Sequence, residues 1–531
     1  MRSPLVVSST QSYDEVLSTL VSDRVASRLA EQDATLWGSE AESEASIRLA
    51  WVGLARSSRP LLAELDALRA QLWSEGVDRV VLCGMGGSSL APEVISRSYS
   101  APLEILDSTN PSVVSRALNG DLSRTVVVVS SKSGGTLETD SQRRAFVAAF
   151  TAAGIDAASR FVVVTDPGSD LEKLALEGGY RKIFTADPHV GGRYSALTAF
   201  GLVPSALSGV DVSELLDEAE EVMADLAQDS PGNPALMLAA AMAANEGRDK
   251  LVIADAGSGI VGFGDWAEQL IAESTGKQGR GVLPVAVEGV DAPELRQPAT
   301  DLAVAIVGGE GSGDVEASAK PVVAVSGSLG AQFLLWEAAT AIAGRILGIN
   351  PFDQPDVESA KSAARGLLDE QPEADEPALT EAGIEVRSVG LSAEFDSLAG
   401  ALEALLSQLG ESGYLAVMAY LDSQRDAALR HTRAALARRT GRPVTFGWGP
   451  RFLHSTGQYH KGGPAQGVFL QITSDESSDA DIPDRPFTFG TLIAAQAAGD
   501  ARVLAEHDRP VLRLHLLDAG AGVPALQELL S

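Results

Sequence analysis

Hydrophobic residues along the chain follow two patterns, one helical and one typical of buried strands. Residues 11 to 76 carry Leu, Val, Ala and Trp at three- and four-residue spacing, which predicts helices. After residue 76, short apolar runs alternate with amphipathic helical stretches. Strands are predicted at 77 to 83, 103 to 107, 125 to 130, 160 to 166 and 181 to 185. This alternation is the signature of a parallel sheet covered by helices on both faces.

A second series of predicted strands follows a helical stretch at residues 211 to 247. Its members are predicted at 250 to 255, 301 to 308, 321 to 327, 414 to 421, 444 to 449, 467 to 473 and 509 to 517. The segment DEQPEADEPALTEAG (369 to 383) interrupts the series, and its acids and prolines are typical of an exposed connection.

The predicted fold class is therefore α/β, with two doubly wound parallel-sheet domains. We place a helical N-terminal segment at residues 1–75, the first domain at 76–212, and the second domain, with a C-terminal extension, at 213–531. A chain of 531 residues exceeds a single hydrophobic core, which agrees with more than one domain.

Composition and charge restrict the partners. The chain has 41 Lys and Arg against 72 Asp and Glu, a net charge of −31 that repels nucleic acid and anionic membranes. No apolar run is long enough to span a bilayer, and the start MRSPLVVSSTQSYDEV lacks the features of a signal peptide. The single cysteine, Cys83, cannot form an internal disulfide. We expect a cytoplasmic protein with no nucleic-acid or membrane partner.

A glycine-rich loop, GMGGSS (84 to 89), directly follows the first predicted strand of the sheet. Its glycines, Gly84, Gly86 and Gly87, let backbone N–H groups approach a ligand, and Ser88 and Ser89 open the predicted helix. Asp107, at the end of the next strand, stands where a dinucleotide-binding fold places its ribose-binding acid, but Ser89 replaces the third glycine of that fingerprint. Taken alone, the loop is compatible with cofactor binding, sugar binding or a plain tight turn.

A second loop, SSKSGGTLET (130 to 139), follows the strand that contains four consecutive valines. Its candidate anion-binding groups are the hydroxyls of Ser131, Ser133 and Thr136, the backbone N–H groups around Gly134 and Gly135, and the ammonium of Lys132. The loop lacks the spacing of a nucleoside-triphosphate loop, so a phosphate monoester is the expected ligand. Glu138 is a neighbour placed to orient another catalytic group. The alternative is a turn whose hydroxyls only cap a helix.

Five motifs follow one another along the chain: GMGGSSLAP, SKSGGTLET, VGGRYSALTAFGL (190 to 202), ESTGKQG (273 to 279) and INPFDQPDVESAK (349 to 361). Their order resembles that found in glucose-6-phosphate isomerases. The chain resembles that family from about residue 75 to 365, and FLHSTGQYHKGGP (452 to 464) resembles the isomerase half of the bacterial transaldolase–isomerase fusion type, without a transaldolase portion.

The resemblance implies two sugar-isomerase (SIS) domains and a reversible isomerisation. Glucose 6-phosphate and fructose 6-phosphate would interconvert through a cis-enediol(ate), in glycolysis and gluconeogenesis, without a metal or organic cofactor. In the familiar enzymes a histidine crosses from the partner subunit, so a homodimer is also implied.

Two charged residues are expected at the reacting carbons. Trp266, Leu270 and Glu273 share one helix face, so the Glu273 carboxylate should be partly desolvated and its pKa raised toward that of a general base. The resemblance makes Glu273 the base that moves a proton between C2 and C1, and makes Arg193 the stabiliser of the enediolate. The alternatives are a glutamate that reaches water and an arginine paired with a surface acid.

Ring opening is expected to need a lysine and a histidine. The resemblance gives Lys361 a ring-oxygen contact and Gln354 a substrate or phosphate hydrogen bond, although Lys361 by itself fits an ordinary solvated helix lysine. Residues 280 to 348 lack the histidine that the family carries there. We therefore prefer His460, whose neighbours are a lysine and two glycines, while His454 and the weaker candidate His189 compete for the role.

Two other functions stay open from the sequence. One is an enzyme of the same fold acting on another phosphosugar, such as mannose 6-phosphate or an amino sugar. The other is a non-catalytic sugar-phosphate sensor, which has no need of Glu273, Arg193 and Lys361 together.

Overall fold

The computed structural model describes residues 4–245, 247–297, 299–309, 321–370, 376–391, 394–476 and 478–530, without the side chains of 357–361, 369 and 370. Within these residues the chain forms three sheets dominated by parallel pairing and covered by helices, as the α/β prediction requires. No helix among them is long and apolar enough to cross a membrane.

The N-terminal segment is mostly helical, as its hydrophobic spacing predicts. It contains β1 (Val6–Ser9), α1 (Asp14–Ser22), α2 (Val25–Ala30), α3 (Glu42–Ala45), α4 (Leu54–Ser57) and α5 (Leu61–Ser74). Trp51 of this segment stacks on Tyr194 with the ring centroids 5.1 Å apart. The segment therefore supports the loop that carries Arg193.

The first sheet agrees with the predicted strands to within two residues at their ends. Its elements are β2 (Arg79–Gly84), α6 (Leu90–Ser98), β3 (Leu103–Leu106), α7 (Pro111–Leu118), β4 (Thr125–Ser130), α8 (Leu137–Ala152), β5 (Phe161–Thr165), α9 (Asp170–Glu177), β6 (Lys182–Thr185) and α10 (Ala199–Leu207). The strand order is β3-β2-β4-β5-β6, all parallel. Because Gly84 pairs with Ser130, the glycine-rich loop and the Ser131 loop begin side by side at one edge of the sheet.

The second sheet has the order β1-β10-β9-β7-β8. Its elements after β1 are α11 (Val212–Leu226), α12 (Pro234–Ala243), β7 (Lys250–Asp255), α13 (Phe263–Thr275), β8 (Leu283–Ala286), α14 (Pro293–Arg296), β9 (Leu302–Val307), β10 (Val322–Ser326) and α15 (Leu329–Leu347), with α16 (Val357–Glu370) after them. Sequence reasoning missed β1 and β8, which have four residues each. Strands this short leave little pattern to detect.

The third sheet comes from the stretch predicted as a C-terminal extension. It contains β11 (Leu379–Glu381), β12 (Ile384–Val389), α17 (Leu398–Leu406), β13 (Tyr414–Tyr420), α18 (Thr432–Thr440), β14 (Val444–Trp448), α19 (Gly457–Gly462), β15 (Gly467–Ser474), α20 (Phe489–Glu506), β16 (Val511–Leu516) and α21 (Ala519–Leu530). The order is β11-β12-β16-β15-β13-β14, with β11 and β12 antiparallel at one edge. The strands predicted from residue 414 onward thus pair with one another rather than with β7. The domain boundaries stay a prediction.

Aromatic packing fixes the helix that carries Glu273. Trp266 of α13 meets Phe333 of α15 edge to face with the ring centroids 4.7 Å apart, and Phe263 contacts Trp336 at 5.4 Å. Helix α15 is hydrophobic on nearly every side and is buried along most of its length. Because both helices are locked by large buried rings, the end of α13 has a defined position.

Candidate functional site

Arg193 and Glu273 form the centre of the candidate site. Arg193 is 3% exposed and Glu273 is 5% exposed, and Nη1 of Arg193 lies 3.5 Å from Oε2 of Glu273. The same Nη1 donates to Oε1 of Gln354 at 2.9 Å, and Nε donates to Oγ of Ser274 at 2.8 Å. The fold thus brings together three residues that the sequence singled out far apart along the chain.

A second set of contacts holds the Arg193 guanidinium from its other edge. Its Nη2 donates to the carbonyl oxygens of Pro351 and Asp353 at 2.6 and 3.0 Å. Nζ of Lys277 donates to the same Asp353 carbonyl at 2.6 Å and to the Asp353 carboxylate at 2.7 Å. Burial, followed by the nearby Arg193 charge, lowers the pKa of Lys277 to about 8. Two cations therefore share the PFDQ segment that presents Gln354.

The Glu273 carboxylate lies on the buried face of α13, as the helical spacing of Trp266 and Leu270 predicts. One turn earlier, Nε2 of Gln269 lies 3.4 Å from Oε1 of Glu273 and donates to the His454 carbonyl at 2.7 Å. The carboxylate is thus desolvated, with an arginine on one side and an amide on the other. This setting suits a group that takes up and returns a proton.

The glycine-rich loop packs directly against these groups. A Cβ at Gly87 would lie 2.1 Å from the Gly192 carbonyl oxygen, so only glycine permits the contact with the Arg193 loop. Gly86 has a φ of 56°, and a Cβ there would lie 2.8 Å from both Gln269 Nε2 and the His454 carbonyl. Gly87 and Ser88 are partly exposed at this junction. The loop therefore forms one wall of the site.

The alternative in which this loop holds a dinucleotide loses support from the structure. Asp107, the candidate ribose-binding acid, lies 3.4 Å from Nε of Arg451. That arginine also pairs with Glu93 at 2.5 Å. Asp107 is thus engaged in a partly buried ion-pair cluster.

Hydroxyl groups organise the predicted phosphate loop. Ser131 Oγ lies 3.1 Å from Thr136 Oγ1 and accepts a hydrogen bond from the Gly134 N–H at 3.2 Å, while Ser133 Oγ accepts from the Gly135 N–H at 3.2 Å. Thr136 is the N-cap residue of α8, and its side chain makes no capping hydrogen bond. The first amides of this helix of 16 residues therefore remain available to an anion.

Lys132 is less free than the sequence suggests. Its Nζ lies 2.6 Å from Oδ2 of Asp166 and 3.3 Å from the Pro188 carbonyl. Burial raises the pKa of Asp166, because the lysine only partly offsets the cost of desolvating its charge. A role of Lys132 toward phosphate stays a prediction.

His454 lies beside the phosphate loop. Its Nε2 is 2.9 Å from Oε1 of Glu138, which belongs to the first turn of α8. Nε2 of Gln496, on α20, donates to the same Glu138 oxygen at 2.8 Å. Since the His454 carbonyl accepts from Gln269, a continuous set of contacts links the start of α8 to Glu273.

His460 occupies a different environment. It is 3% exposed, its Nδ1 lies 3.0 Å from the Tyr414 hydroxyl, and its ring packs edge to face on Phe469. Burial lowers the pKa of His460 to about 3, and the neighbouring Lys461 and Arg509 act in the same direction. The polar neighbour that favoured this histidine, Lys461, is buried and paired with an aspartate in the interior. The structure thus brings His454, and not His460, to the Glu138 carboxylate.

Two other predicted residues lie outside the cluster as described. His189 is exposed and its Nδ1 lies 3.1 Å from Asp187. Lys361 belongs to α16, directly after the segment that carries Gln354, but its side chain lies outside the described residues. Its predicted role is therefore not tested by the geometry.

Three polar residues of the site were given no role by the sequence analysis, although Lys277 lies within the motif ESTGKQG. Gln269 precedes Glu273 by one helical turn, a spacing that could have found it. Lys277 follows Glu273 closely and is one of few lysines in the chain. Gln496 lies more than 200 residues further on, in a helix without any local signal of function.

Comparison with known proteins identifies relatives of this chain. Residues 69–278 match the model of the phosphoglucose isomerase family. A glucose-6-phosphate isomerase from Cyanothece sp. is 37% identical over 216 residues, which cover 38% of this chain and 40% of that protein. A probable glucose-6-phosphate isomerase from Haloquadratum walsbyi is 30% identical over 341 residues, which cover 54% of this chain and 79% of that protein.

A solved structure shares the fold. The crystal structure of a glucose-6-phosphate isomerase from Chlamydia trachomatis superposes with a TM-score of 0.54 at 20% identity, covering 68% of this chain and 87% of that one. The match to the Cyanothece protein spans less than half of that protein's own length. The family match, the extensive similarity to the Haloquadratum protein and the common fold agree, and the chain belongs to the phosphoglucose isomerase family.

Proposed function

We propose that this chain catalyses the reversible isomerisation of glucose 6-phosphate and fructose 6-phosphate. One observation carries the proposal. Helix α8, which follows the phosphate loop, and the buried Arg193–Glu273 pair are joined through His454, which contacts Glu138 with its ring and Gln269 with its carbonyl. In this proposal, one six-carbon phosphosugar would have its phosphate at the loop and its reacting carbons at the carboxylate.

Substrate binding would begin at the phosphate. The phosphate dianion would receive hydrogen bonds from the hydroxyls of Ser131, Ser133 and Thr136 and from the first amides of α8. Lys132, which is paired with Asp166, would contribute positive charge. Gln354 is exposed beside Arg193 and would donate a further hydrogen bond to the substrate.

Ring opening would follow, and we assign it to His454 in place of His460. When the ring opens, the bond between the anomeric carbon and the ring oxygen breaks. The hydroxyl on the anomeric carbon loses a proton, and the ring oxygen gains one. His454 lies 2.9 Å from the Glu138 carboxylate beside the phosphate loop. His460 is buried against Tyr414 and Phe469, and burial lowers its pKa to about 3. Lys361 would contact the ring oxygen, as the resemblance implies.

Proton transfer between the carbons would then fall to Glu273. Its carboxylate takes the proton from C2 of the open-chain aldose, which leaves a cis-enediolate, and returns it to C1. The hydroxyl proton of O2 passes to O1 in the same sequence, so that O2 becomes the carbonyl oxygen of the ketose. Arg193 would hold the negative charge that develops on the oxygens, since its guanidinium is already fixed by four neighbouring groups.

Partners and location extend the proposal. The substrate is a phosphosugar, and a glycolytic substrate together with the composition favours the cytoplasm. The resemblance implies a homodimer that lends a histidine across the interface. In this chain His454 reaches Glu138 of the same chain, so we propose that the reaction needs no residue from a partner even where a dimer forms.

A direct assay tests the function. Purified protein is given fructose 6-phosphate in the presence of a metal chelator, with mannose 6-phosphate in a parallel reaction, and product is followed by a coupled enzyme. We expect glucose 6-phosphate to appear, and we expect Glu273→Gln to bind fructose 6-phosphate while losing most turnover. Absence of turnover in the unaltered protein, with sugar phosphate still bound, would instead indicate a sensor.

A further inference from the structure

We propose that Gln496 and Thr109 are positioning residues that hold the Glu138 carboxylate in place for His454. The inference rests on the proposed function, because it concerns the ring-opening step of that reaction. Neither residue belongs to the motifs that carry the family resemblance. Thr109 follows β3 of the first sheet, and Gln496 reaches it from α20, which belongs to the part of the chain that forms the third sheet.

The contacts form a short buried chain. Thr109 Oγ1 donates to Oε1 of Gln496 at 2.7 Å, and Nε2 of Gln496 donates to Oε1 of Glu138 at 2.8 Å. Thr109, Gln496 and Glu138 are 0%, 4% and 5% exposed, so water does not compete for these bonds. Hydrogen bonds in such surroundings fix geometry more strongly than they do in water.

Chemistry decides the orientation of the amide. An ionised carboxylate only accepts hydrogen bonds, so the NH₂ end of Gln496 must face Glu138 and its oxygen must face Thr109. The Thr109 hydroxyl stabilises that arrangement by donating to the amide oxygen. Removing the hydroxyl would let the amide turn, and Glu138 would lose a donor.

The orientation of Glu138 in turn determines the state of His454. The Glu138 oxygen that accepts from Gln496 also lies 2.9 Å from His454 Nε2, so that nitrogen carries a proton. Among the described residues, Nδ1 of His454 has no hydrogen-bond partner and is left to exchange protons with a substrate. A carboxylate that fixes the tautomer of a catalytic histidine commonly contributes strongly to turnover.

The chain of contacts also joins separate parts of the fold. Thr109 follows β3, and Glu138 lies on α8, within the part of the chain that forms the first sheet. Gln496 lies on α20, and His454 precedes α19, within the part that forms the third sheet. Two groups from the C-terminal part therefore meet one carboxylate of the first sheet. The C-terminal part, by this inference, completes the ring-opening machinery.

The test compares a cyclic substrate with one that cannot cyclise. Fructose 6-phosphate forms a furanose through O5, whereas 5-deoxyfructose 6-phosphate lacks O5 and stays open. Exchange of the C1 hydrogen with deuterium oxide, followed by NMR, reports proton transfer for both. We expect Gln496→Met and Thr109→Val to slow fructose 6-phosphate about tenfold or more and to change 5-deoxyfructose 6-phosphate less than about twofold.

Control variants keep the comparison interpretable. Gln332→Met removes a buried glutamine on α15 that accepts from Trp336, and it should leave both substrates unaffected. Thr109→Ser retains the hydroxyl and should restore most of the rate. If Gln496→Met does not fold, Thr109→Val tests the same chain of contacts with Gln496 in place.

The outcomes separate the inference from the function. Equal slowing of both substrates, or no slowing of fructose 6-phosphate, would overturn the positioning role. Failure of the unaltered protein to exchange the C1 hydrogen of either substrate would overturn the proposed function itself.

Discussion

The Arg193 guanidinium and the Glu273 carboxylate lie 3.5 Å apart in a site where both are almost fully buried. Such a pair is costly to desolvate, and losing one partner leaves the other as an uncompensated buried charge. Arg193 offsets that cost with a planar fork of donors spread over four other groups.

Arg193→Lys tests how much the planar set of guanidinium donors contributes to turnover. Lysine keeps the charge but cannot reproduce the spread of donors, so we expect kcat to fall about a hundredfold with a smaller change in KM. Steady-state kinetics with fructose 6-phosphate, and a melting curve to verify the fold, provide the measurement. A kcat near that of the unaltered protein would contradict the role of Arg193 at the enediolate.

The two histidines should respond differently to substitution. His454→Asn removes the ring that faces Glu138, and we expect kcat to fall about a hundredfold with little change in melting temperature. His460→Phe breaks a buried hydrogen bond to Tyr414, so we expect a lower melting temperature while kcat of the folded enzyme is retained. The reverse pattern would return the ring-opening role to His460.

Mixing two inactive variants tests whether one chain supplies the whole site. Glu273→Gln and His454→Asn, carrying different tags, are produced together and copurified. Because Glu138 and His454 meet within one chain, we expect no recovery of activity. If the histidine came from a partner, each copurified mixed dimer would regain one of its two sites, about half of the unaltered activity, and that recovery would refute the single-chain arrangement.

Activity should decline above pH 8 because of Lys277. Its pKa is lowered to about 8, and loss of its proton removes the cation that holds Asp353, whose carbonyl also accepts from Arg193. Lys277→Arg stays charged throughout this range and should abolish the decline. The kcat of both proteins is measured from pH 6 to pH 10, and identical profiles would exclude Lys277 as the cause.

The stability of the fold should change in the opposite direction to this loss of activity. The folded pKa of Lys277 lies below its ordinary value of 10.5, so the unfolded chain binds more protons between about pH 8 and 10.5. The contribution of this group to the free energy of unfolding therefore increases over that range. The decline in activity would thus occur without unfolding.

Glu268 predicts a second pH effect, this time on stability. It lines a cavity of about 510 Å³, and burial, with Asp265 nearby, raises its pKa to about 8. In the unfolded chain Glu268 loses its proton above its ordinary pKa of 4.5, whereas in the folded protein it keeps the proton up to about pH 8. The contribution of this group to the free energy of unfolding therefore decreases as the pH rises from about 4.5 toward 8. Glu268→Gln should raise the melting temperature at pH 8 but not at pH 4. The exposed Glu40→Gln should change neither value, and an equal gain from it would contradict the assignment.

Local patterns predicted much of the fold because they depend on neighbouring residues. The run of valines before Ser131 marks a strand buried on both faces, and the spacing of Trp266, Leu270 and Glu273 marks the buried face of a helix. These signals need no knowledge of the partner elements. They located the strands of the first sheet and the burial of Glu273.

Long-range packing explains what the sequence left out. Nothing local tells that the strands after residue 414 form a sheet of their own, since pairing depends on partners far along the chain. His460 was preferred because of its neighbour Lys461. In the structure Lys461 is buried and forms an ion pair with Asp500. Gln496 acquires meaning only through contact with Thr109 and Glu138, each more than 350 residues away.

The pairing of β1 with β10 has a consequence for synthesis of the chain. Thr10 and Val322, bonded at the end of this ladder, are separated by 312 residues. During translation the first sheet can form from neighbouring segments, whereas β1 must wait for β10 to emerge from the ribosome. The second sheet thus gains its outer strand late, and the backbone groups of β1 lack their partners in the nascent protein until β10 has been made.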